Sequence, residues 1–489
     1  MKNELRTCRT VTILLSLLLV SCGNDAVSVD TETDTNTVSV ETEQTDIVDY
    51  VSDLPDADYN GYEFRILGEE MRDHYTAEEQ NGEVINDAVY DRNRAVEERY
   101  NVKLVYDIVT WGSGHSLIDT HVRAGESPYD LVTSTHLYLG NILVNSYLTD
   151  WSNIPYVDMT QPYYVNAANE TYSINGKVML LFGNMLDSNI TASWVYLFNK
   201  RLANDYDIAG LYDAVRDGSW TLDYFRNLIK DIYQDLDGNS VYDETDFYGF
   251  VTDNYGACDS YTRTLGLSAI SKDENDYPQL DFYKESTVDA YNKIYELYFE
   301  TPGAYTKKQA LTQIDTSFVI GHSIFSNTPM SELLGGSMRD MQDDYGILPY
   351  PKFNEEQEGY YTYLDGTYSA QMVLVSMPEE NYERIGIITE ALNAYSQEYV
   401  LPAIYNTSIK VKAARDEDSV EMLDIILDGR RYSFDSFDER GFMLSPRHVL
   451  RDNIQKGVQD ISSYYAKSQK SCEKWIAKMI EAYEDSVNQ

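Results

Sequence analysis

Hydrophobic and polar positions along this chain first mark out short extended runs. Residues 62–67 (YEFRIL), 102–109 (VKLVYDIV) and 129–134 (YDLVTS) are rich in β-branched and aromatic side chains and predict three strands. Between the first two, Ile85, Val89, Val96 and Tyr100 recur on one face of a helix over residues 85–100. Strand, helix and strand, with a further helical segment before the third strand, predict parallel α/β pairing. Residues 173–182 read as a hairpin around Asn175-Gly176, and 194–198 (WVYLF) as another strand. Thr221 then suits a helix N-cap, with Asp223 in the first turn and Trp220 and Phe225 at hydrophobic-staple spacing. Leu222, Phe225, Leu228, Ile229 and Ile232 form that helix's apolar face. Residues 247–251 read as a strand, with helices around Leu265 and over 288–299. Residues 317–327 read as a strand running into a loop, and the tail from 421 as helices.

Directly after the capped helix comes an acidic loop. With Asp235 at position 1, oxygen donors fall at Asp237 (3), Asn239 (5), the Val241 carbonyl (7), Asp243 (9) and Asp246 (12). This is the order of hard oxygen ligands in an EF-hand and suits a structural calcium ion. It departs from that pattern twice: Gly238 precedes the sharp-turn position, which holds Ser240, and Asp replaces Glu at position 12. The alternative is a solvated acidic turn.

The N-terminus changes the picture of where the protein works. Lys2, Arg6 and Arg9 precede an apolar run over 11–20, too short to cross a bilayer, which takes about 20 residues. Leu19-Val20-Ser21-Cys22 resembles a lipobox, so residues 1–21 are expected to be a lipoprotein signal peptide, with lipid on Cys22; an ordinary signal peptide or short anchor is the other reading. Residues 22–58 are dominated by Thr, Asp, Glu, Val and Ser and have no Lys or Arg, as expected of a disordered acidic tether. The expected location is the extracellular face of the cell membrane. Cys258 and Cys472 could pair or stay free, and no CxxC supports a redox or four-cysteine zinc site.

The remaining length exceeds one ordinary core and predicts two lobes. A formal charge of −43 disfavours nucleic acid and anionic surfaces. Tyrosine is abundant, 43 against 14 phenylalanines, and its flat face and polar tip suit sugar rings, although it serves equally as a core residue.

W-T-L-D-Y-F (220–225), D-x-D-G-N (235–239) and D-x-x-D-x-Y-G-F (243–250) together resemble bacterial extracellular solute-binding proteins of ABC importers, family 1, of the sugar type in Gram-positive anaerobes. Residues 81–104 resemble that group's first helix and second strand. Residues 338–353 resemble the segment before the chain returns to lobe one, and 363–378 the return strand and hinge. The resemblance implies a two-lobed α/β periplasmic-binding-protein fold of type II. Lobe one would hold 59–190 and 363–405, lobe two 191–362 and 406–489. A monomer serving an ABC permease is expected. In open α/β sheets ligands bind beyond the carboxyl ends of the strands, which singles out Glu69, Glu70, Trp111, Thr135 and His136, as contacts or as plain loop residues. The resemblance adds Asn184 and Asp187 near the hinge, Tyr255 and Asp259 in a polar turn, Phe325 and Asn327, and Asp365 and Tyr368 facing the cleft.

No G-x-S-x-G, H-E-x-x-H, P-loop or G-x-G-x-x-G occurs, and the histidines lack tight metal spacing. Three readings stay open: a lipid-anchored receptor for a sugar or oligosaccharide, with a peptide as the other ligand class; a surface glycan-degrading enzyme; and an adhesive lipoprotein without a cleft.

Overall fold

The three expected strands form one parallel core. In a computed structural model, β1 (Tyr62–Glu70) lies between β2 (Val102–Thr110) and β3 (Leu131–Thr135), parallel to both. The helices α1 (Val84–Tyr100) and α2 (Gly114–Ala124) make the two crossovers. α1 buries Ile85, Val89, Val96 and Tyr100, as its periodicity requires, and stops at Asn101 in the left-handed region (φ 49°). The structure describes residues 50–51, 54–308, 316–335, 337–338, 341–437 and 442–485. The expected signal peptide, Cys22 and the tether as far as residue 49 lie outside them.

The tether ends sooner than residue 58. Leu54 is buried, Tyr50 meets Tyr163 edge-on at 6.3 Å, and Arg99 donates to the carbonyls of Val51 and Leu54. An aromatic ring and a leucine among polar neighbours are enough to dock this stretch.

A second, mixed sheet follows. Its strands are β4 (Trp194–Asn199), β5 (Tyr233–Gln234), β6 (Phe247–Asp253), β7 (Ala304–Lys307), β8 (Ser323–Pro329) and β9 (Tyr345–Leu348). Their order is β9-β4-β8-β6-β5, with β7 beside β5 on the outer edge of β6. β4, β6, β8 and β9 are buried along their whole length, because helices and loops cover both faces. α3 (Leu222–Ile229) is capped as expected, the Tyr224 N–H donating to Thr221 Oγ1 at 3.2 Å, and the Trp220–Phe225 staple closes at 5.6 Å. Phe225 then stands edge-on against Tyr196, Phe250 and Phe325, at 5.1–5.3 Å. α4 (Gly256–Thr264) follows β6, and α5 (Glu285–Phe299) lies beyond.

Two expectations change. Residues 317–327 do not begin as a strand: a helical turn, Thr316–Val319, precedes Gly321 at φ 79°, and only then does β8 start. The Asn175-Gly176 turn forms with both residues at positive φ, but its ladder stops at Ile174 and Lys177, since Leu181 pairs instead with Gln371.

The chain returns to the first sheet as β10 (Ser369–Met372), antiparallel to β3. α6 (Tyr382–Tyr395) packs against α1, and helical residues 396–413 carry the chain over again to α7 (Glu417–Asp428) beside β9. α8 (Pro446–Lys456) packs on α4, and α9 (Ser462–Asp485) lies on both the first lobe's 140–144 helix and the second lobe's 278–280 strand. The connections at 187–193, 349–368 and 396–416 therefore join two α/β lobes. Cys258 and Cys472 are free and buried. Among the described residues no helix is long and apolar enough to cross a membrane.

Gly386 tests this packing. It sits within α6, where alanine ordinarily favours a helix by about 1 kcal/mol. A Cβ there would stand 1.8 Å from the Pro155 carbonyl oxygen. Gly386→Ala is expected to destabilise the fold by roughly 2 kcal/mol in urea unfolding; a gain would contradict the close approach.

Candidate functional site

Where the two sheets face each other, polar side chains from three parts of the chain converge. From the loop after β1, Arg72 donates through Nε to Thr367 Oγ1 (2.5 Å), through Nη1 to Ser331, and through Nη2 to Asp365 Oδ2 (2.9 Å). Asp365 also accepts from Trp194 Nε1 at 3.2 Å, and its other oxygen takes the Thr367 N–H at 2.9 Å. Arg72 thus ties lobe one to the return connection and, at Ser331, to lobe two. Its side chain is 13% exposed and that of Asp365 15%, so the pair reaches solvent without being dissolved in it.

On the lobe-one side lies an aromatic platform. Trp111 is exposed, 5.7 Å from Tyr138, and His115 stacks on Tyr138 at 5.3 Å. The platform sits beside the Asp365 turn, because the His136 and Leu137 N–H groups bond to the Tyr368 and Gly366 carbonyls at 2.7 and 3.0 Å. On the lobe-two side, Gly256 approaches the Trp194 ring so closely that a Cβ would fall 2.8 Å from it. Beside Gly256, the Arg451 guanidinium covers the Tyr255 ring at 5.0 Å and pairs with Asp259. Burial pushes the Asp259 carboxyl up, and Arg451 and Arg447 oppose it.

Of the residues singled out in the sequence, Glu70, Trp111, Tyr255 and Asp365 keep access to solvent. Glu69 is an internal brace: it accepts from the Gly114 N–H (2.8 Å) and from the N–H and hydroxyl of Thr135 (3.0 and 2.5 Å). Asp187 faces His74 from a buried position, and Asp259 is likewise buried. Four others, His136, Tyr368, Phe325 and Asn327, are corrected to interior positions, while Asn184 is half-buried at the hinge. His136 is enclosed between Tyr368 (4.6 Å) and Phe437 (4.4 Å), and burial with the Arg447 and Arg263 charges holds its imidazole far below its ordinary value. Tyr368 bonds to Tyr172 at 2.7 Å inside that stack. Phe325 belongs to the Phe225 cluster, Asn327 bonds to Tyr350 at 2.8 Å within the second sheet, and Asn184 bonds to Gln397. The sequence reading does not single out Arg72 or Arg451; the signal for Arg72 is a single base two residues after Glu70.

The acidic loop forms a separate cluster. Oxygens of Asp235, Asp237 and Asp246 lie within 4.8 Å of one another. Asp246 is fully buried and takes the Leu236 N–H (3.2 Å) and the Tyr233 hydroxyl (3.1 Å). Asp235 takes the Gly238 and Ser240 N–H groups, each at 2.8 Å. Ser240 adopts φ 59°, the turn that glycine usually makes at this position. No base pairs with Asp235, Asp237, Asp243 or Asp246 among the described residues. Hard oxygens carrying unbalanced negative charge fit a calcium ion, with Asp235, Asp237 and Asp246 as its carboxylates.

No protein-family model matches the chain, and no curated protein does. Solved structures do match. UspC from M. tuberculosis superposes with a TM-score of 0.54 at 13% identity, over 84% of this chain and 100% of that one. The galacto-N-biose-/lacto-N-biose I-binding protein of the ABC transporter from Bifidobacterium longum gives 0.53 at 12% identity, over 87% and 98%. UgpB from Mycobacterium tuberculosis, in complex with glycerophosphocholine, gives 0.52 at 12% identity, over 88% and 98%. The chain has the two-lobed fold of ABC solute-binding proteins.

The Arg72–Asp365 pair is open to a direct test. Asp365→Ala removes the acceptor of Arg72, Trp194 and Thr367 at once and leaves a largely buried guanidinium without its carboxylate. Urea unfolding is expected to show a loss of about 3 kcal/mol, with a much smaller loss in Asp365→Ala combined with Arg72→Met. Equal losses in the two variants would contradict the pairing.

Proposed function

We propose that this protein is a solute receptor of an ABC importer, capturing a sugar or oligosaccharide between its lobes and delivering it to the permease. The observation that carries the reading is the make-up of the cleft: an exposed aromatic platform, Trp111 and Tyr138, beside two arginine–carboxylate pairs, Arg72–Asp365 and Arg451–Asp259, contributed by opposite lobes. Aromatic faces suit sugar C–H surfaces, and paired charges offer donors and acceptors to hydroxyls with little net charge. Binding across both lobes would shift the receptor from open to closed. The fold shared with a disaccharide-binding receptor supports this reading, while the glycerophosphocholine complex keeps other polar solutes in the test.

Recognition is favoured over hydrolysis by how the cleft carboxylates are used. Glu69, Asp187, Asp259 and Asp365 each hold protein donors, which leaves Glu70 alone among the singled-out carboxylates exposed without one, whereas a glycosidase needs two carboxyl groups about 5–10 Å apart and free to work on substrate. In this proposal Cys22 carries the lipid, residues after it form the tether, and the receptor stands on the outer face of the membrane as a monomer. Calcium in the acidic loop would clip α3 to β6, with Asn239, Asp243 and the Val241 carbonyl completing the ligands.

Two experiments check these statements. A thermal-shift screen against mono- and oligosaccharides, with peptides and glycerophosphocholine included, should raise the melting point with one sugar class, recovered intact; a ligand at 100 times Kd stabilises by about 2.7 kcal/mol. Arg72→Ala and Asp365→Ala should weaken that sugar at least roughly tenfold. Breakdown of the sugar would make the protein an enzyme, and a response to peptide alone would replace the ligand class. Separately, a calcium chelator should lower the melting point of wild type and leave Asp246→Ala unmoved; no shift in wild type would mean a plain acidic turn.

A further inference from the structure

Both oxygens of Asp187 are turned toward the loop that carries Arg72. Oδ1 accepts the His74 N–H at 2.7 Å, and Oδ2 meets His74 Nδ1 at 2.9 Å. In the opposite direction, Asp73 Oδ1 accepts the Ser188 N–H at 2.8 Å. Two consecutive loop residues are therefore laced to two consecutive residues of the first interlobe connection. From behind, the fully buried Arg92 of α1 donates to the carbonyls of Tyr75 (2.8 Å) and His74 (3.3 Å). Arg72, the neighbour of Asp73, has its place in the cleft fixed by this lacing.

We propose that Asp187, Asp73 and His74 form a proton-sensitive clamp that positions Arg72, so that the cleft holds its ligand less tightly as the solution turns alkaline. Only the statement about ligand rests on the receptor reading; the clamp itself does not.

The charges around it are few. The His74 ring faces Asp187 on the connection, Asp73 on its own loop and Glu83 at the approach to α1. Asp73 faces Asp187, the Tyr75 hydroxyl, and the serines Ser188 and Ser369. Arg92 is directed to backbone carbonyls and Arg72 to Asp365. The Asp187 charge raises His74 from 6.5 to about 8. Burial, then the Asp187 charge, push Asp73 up to about 6. Between those values one cation stands among two carboxylates. A histidine raised on folding contributes stability that is complete below pH 6.5 and lost as pH rises through about 8. Above that, two carboxylates face each other with no cation between them. Asp73 acts with the same sign at lower pH, since its ionised form is the disfavoured one.

An exposed histidine–carboxylate pair contributes little. Here Asp187 is 3% exposed and bonds to backbone as well as ring, so the charge state of a half-exposed imidazole is transmitted to the loop.

Amide hydrogen exchange tests the clamp on the full chain without any ligand. After correction for intrinsic exchange, protection of residues 71–75 and Ser188 is expected to fall roughly 3- to 10-fold from pH 6.5 to 9 in wild type, and to stay level in His74→Gln. A level wild-type profile, or the same fall in the variant, would overturn the proposal. So would a wild-type His74 imidazole titrating at or below 6.5 by NMR, a measurement that needs no variant. The sugar that raises the melting point should bind less tightly at pH 9 than at pH 6.5 in wild type only; equal affinities would overturn the control of ligand. Where no sugar binds, the exchange profile still decides the clamp, and it is the receptor reading that fails.

Discussion

The Asp365 N–H reaches the Ala192 carbonyl at 3.1 Å, and the Met330 N–H reaches that of Ser193 at 2.7 Å. The first of these bonds, with the Ser369 N–H on Ser188 Oγ at 3.0 Å, holds two connections side by side as they pass between the sheets, and the second ties the first connection to the turn after β8. Everything that defines the cleft hangs from this short ladder. Trp194 begins β4 at one end of it, and β10 begins at the other. Asp365, between them, has both oxygens engaged, so it presents a fixed acceptor to Arg72. Buried apolar side chains run on from one lobe into the other, Leu67 and Val132 belonging to the same cluster as Trp220 and Phe325, and the ladder holds the two connections in register within it.

The cleft manages charge unlike the rest of the chain. A molecule with a formal charge of −43 places arginines at its centre and pairs each with a carboxylate from another segment. Such pairs cost desolvation and add little stability; in the proposed receptor their value is in fixing donors and acceptors before a ligand arrives. The acidic loop does the reverse, gathering carboxylates with no base among the described residues. In the proposed reading the two sites take different partners, a neutral polar solute in one and a small cation in the other.

Much of the architecture is written locally. β1, β2, β3 and α1 are legible because their apolar positions repeat within a few residues. The Thr221 cap and the Trp220–Phe225 staple are readable because both act within one helical turn. The cleft is less so. A strand's carboxyl end tells where a ligand approaches, but not which side chain turns outward. β4, β6 and β8 are covered on both faces, so no alternation marks Phe325 or Asn327 as interior. His136 and Tyr368 are enclosed by Phe437, a residue some three hundred positions from the first of them. Asp259 in a polar turn could face solvent or a cation, and its partner Arg451 is 192 residues away. Arg72, one base in a polar loop, carries no periodic signal; only the fold shows what it reaches.

The central claim is that a sugar ring binds between the lobes, against Trp111 and Tyr138 on one side and Tyr255 with Arg451 on the other, over the Arg72–Asp365 pair. A crystal structure with the oligosaccharide that most raises the melting point tests this most directly. The account predicts electron density for an intact sugar in that place, with Arg72 or Asp365 bonded to its hydroxyls. A sugar bound elsewhere on the surface, with the Arg72–Asp365 pair untouched and the lobes unmoved, would contradict it.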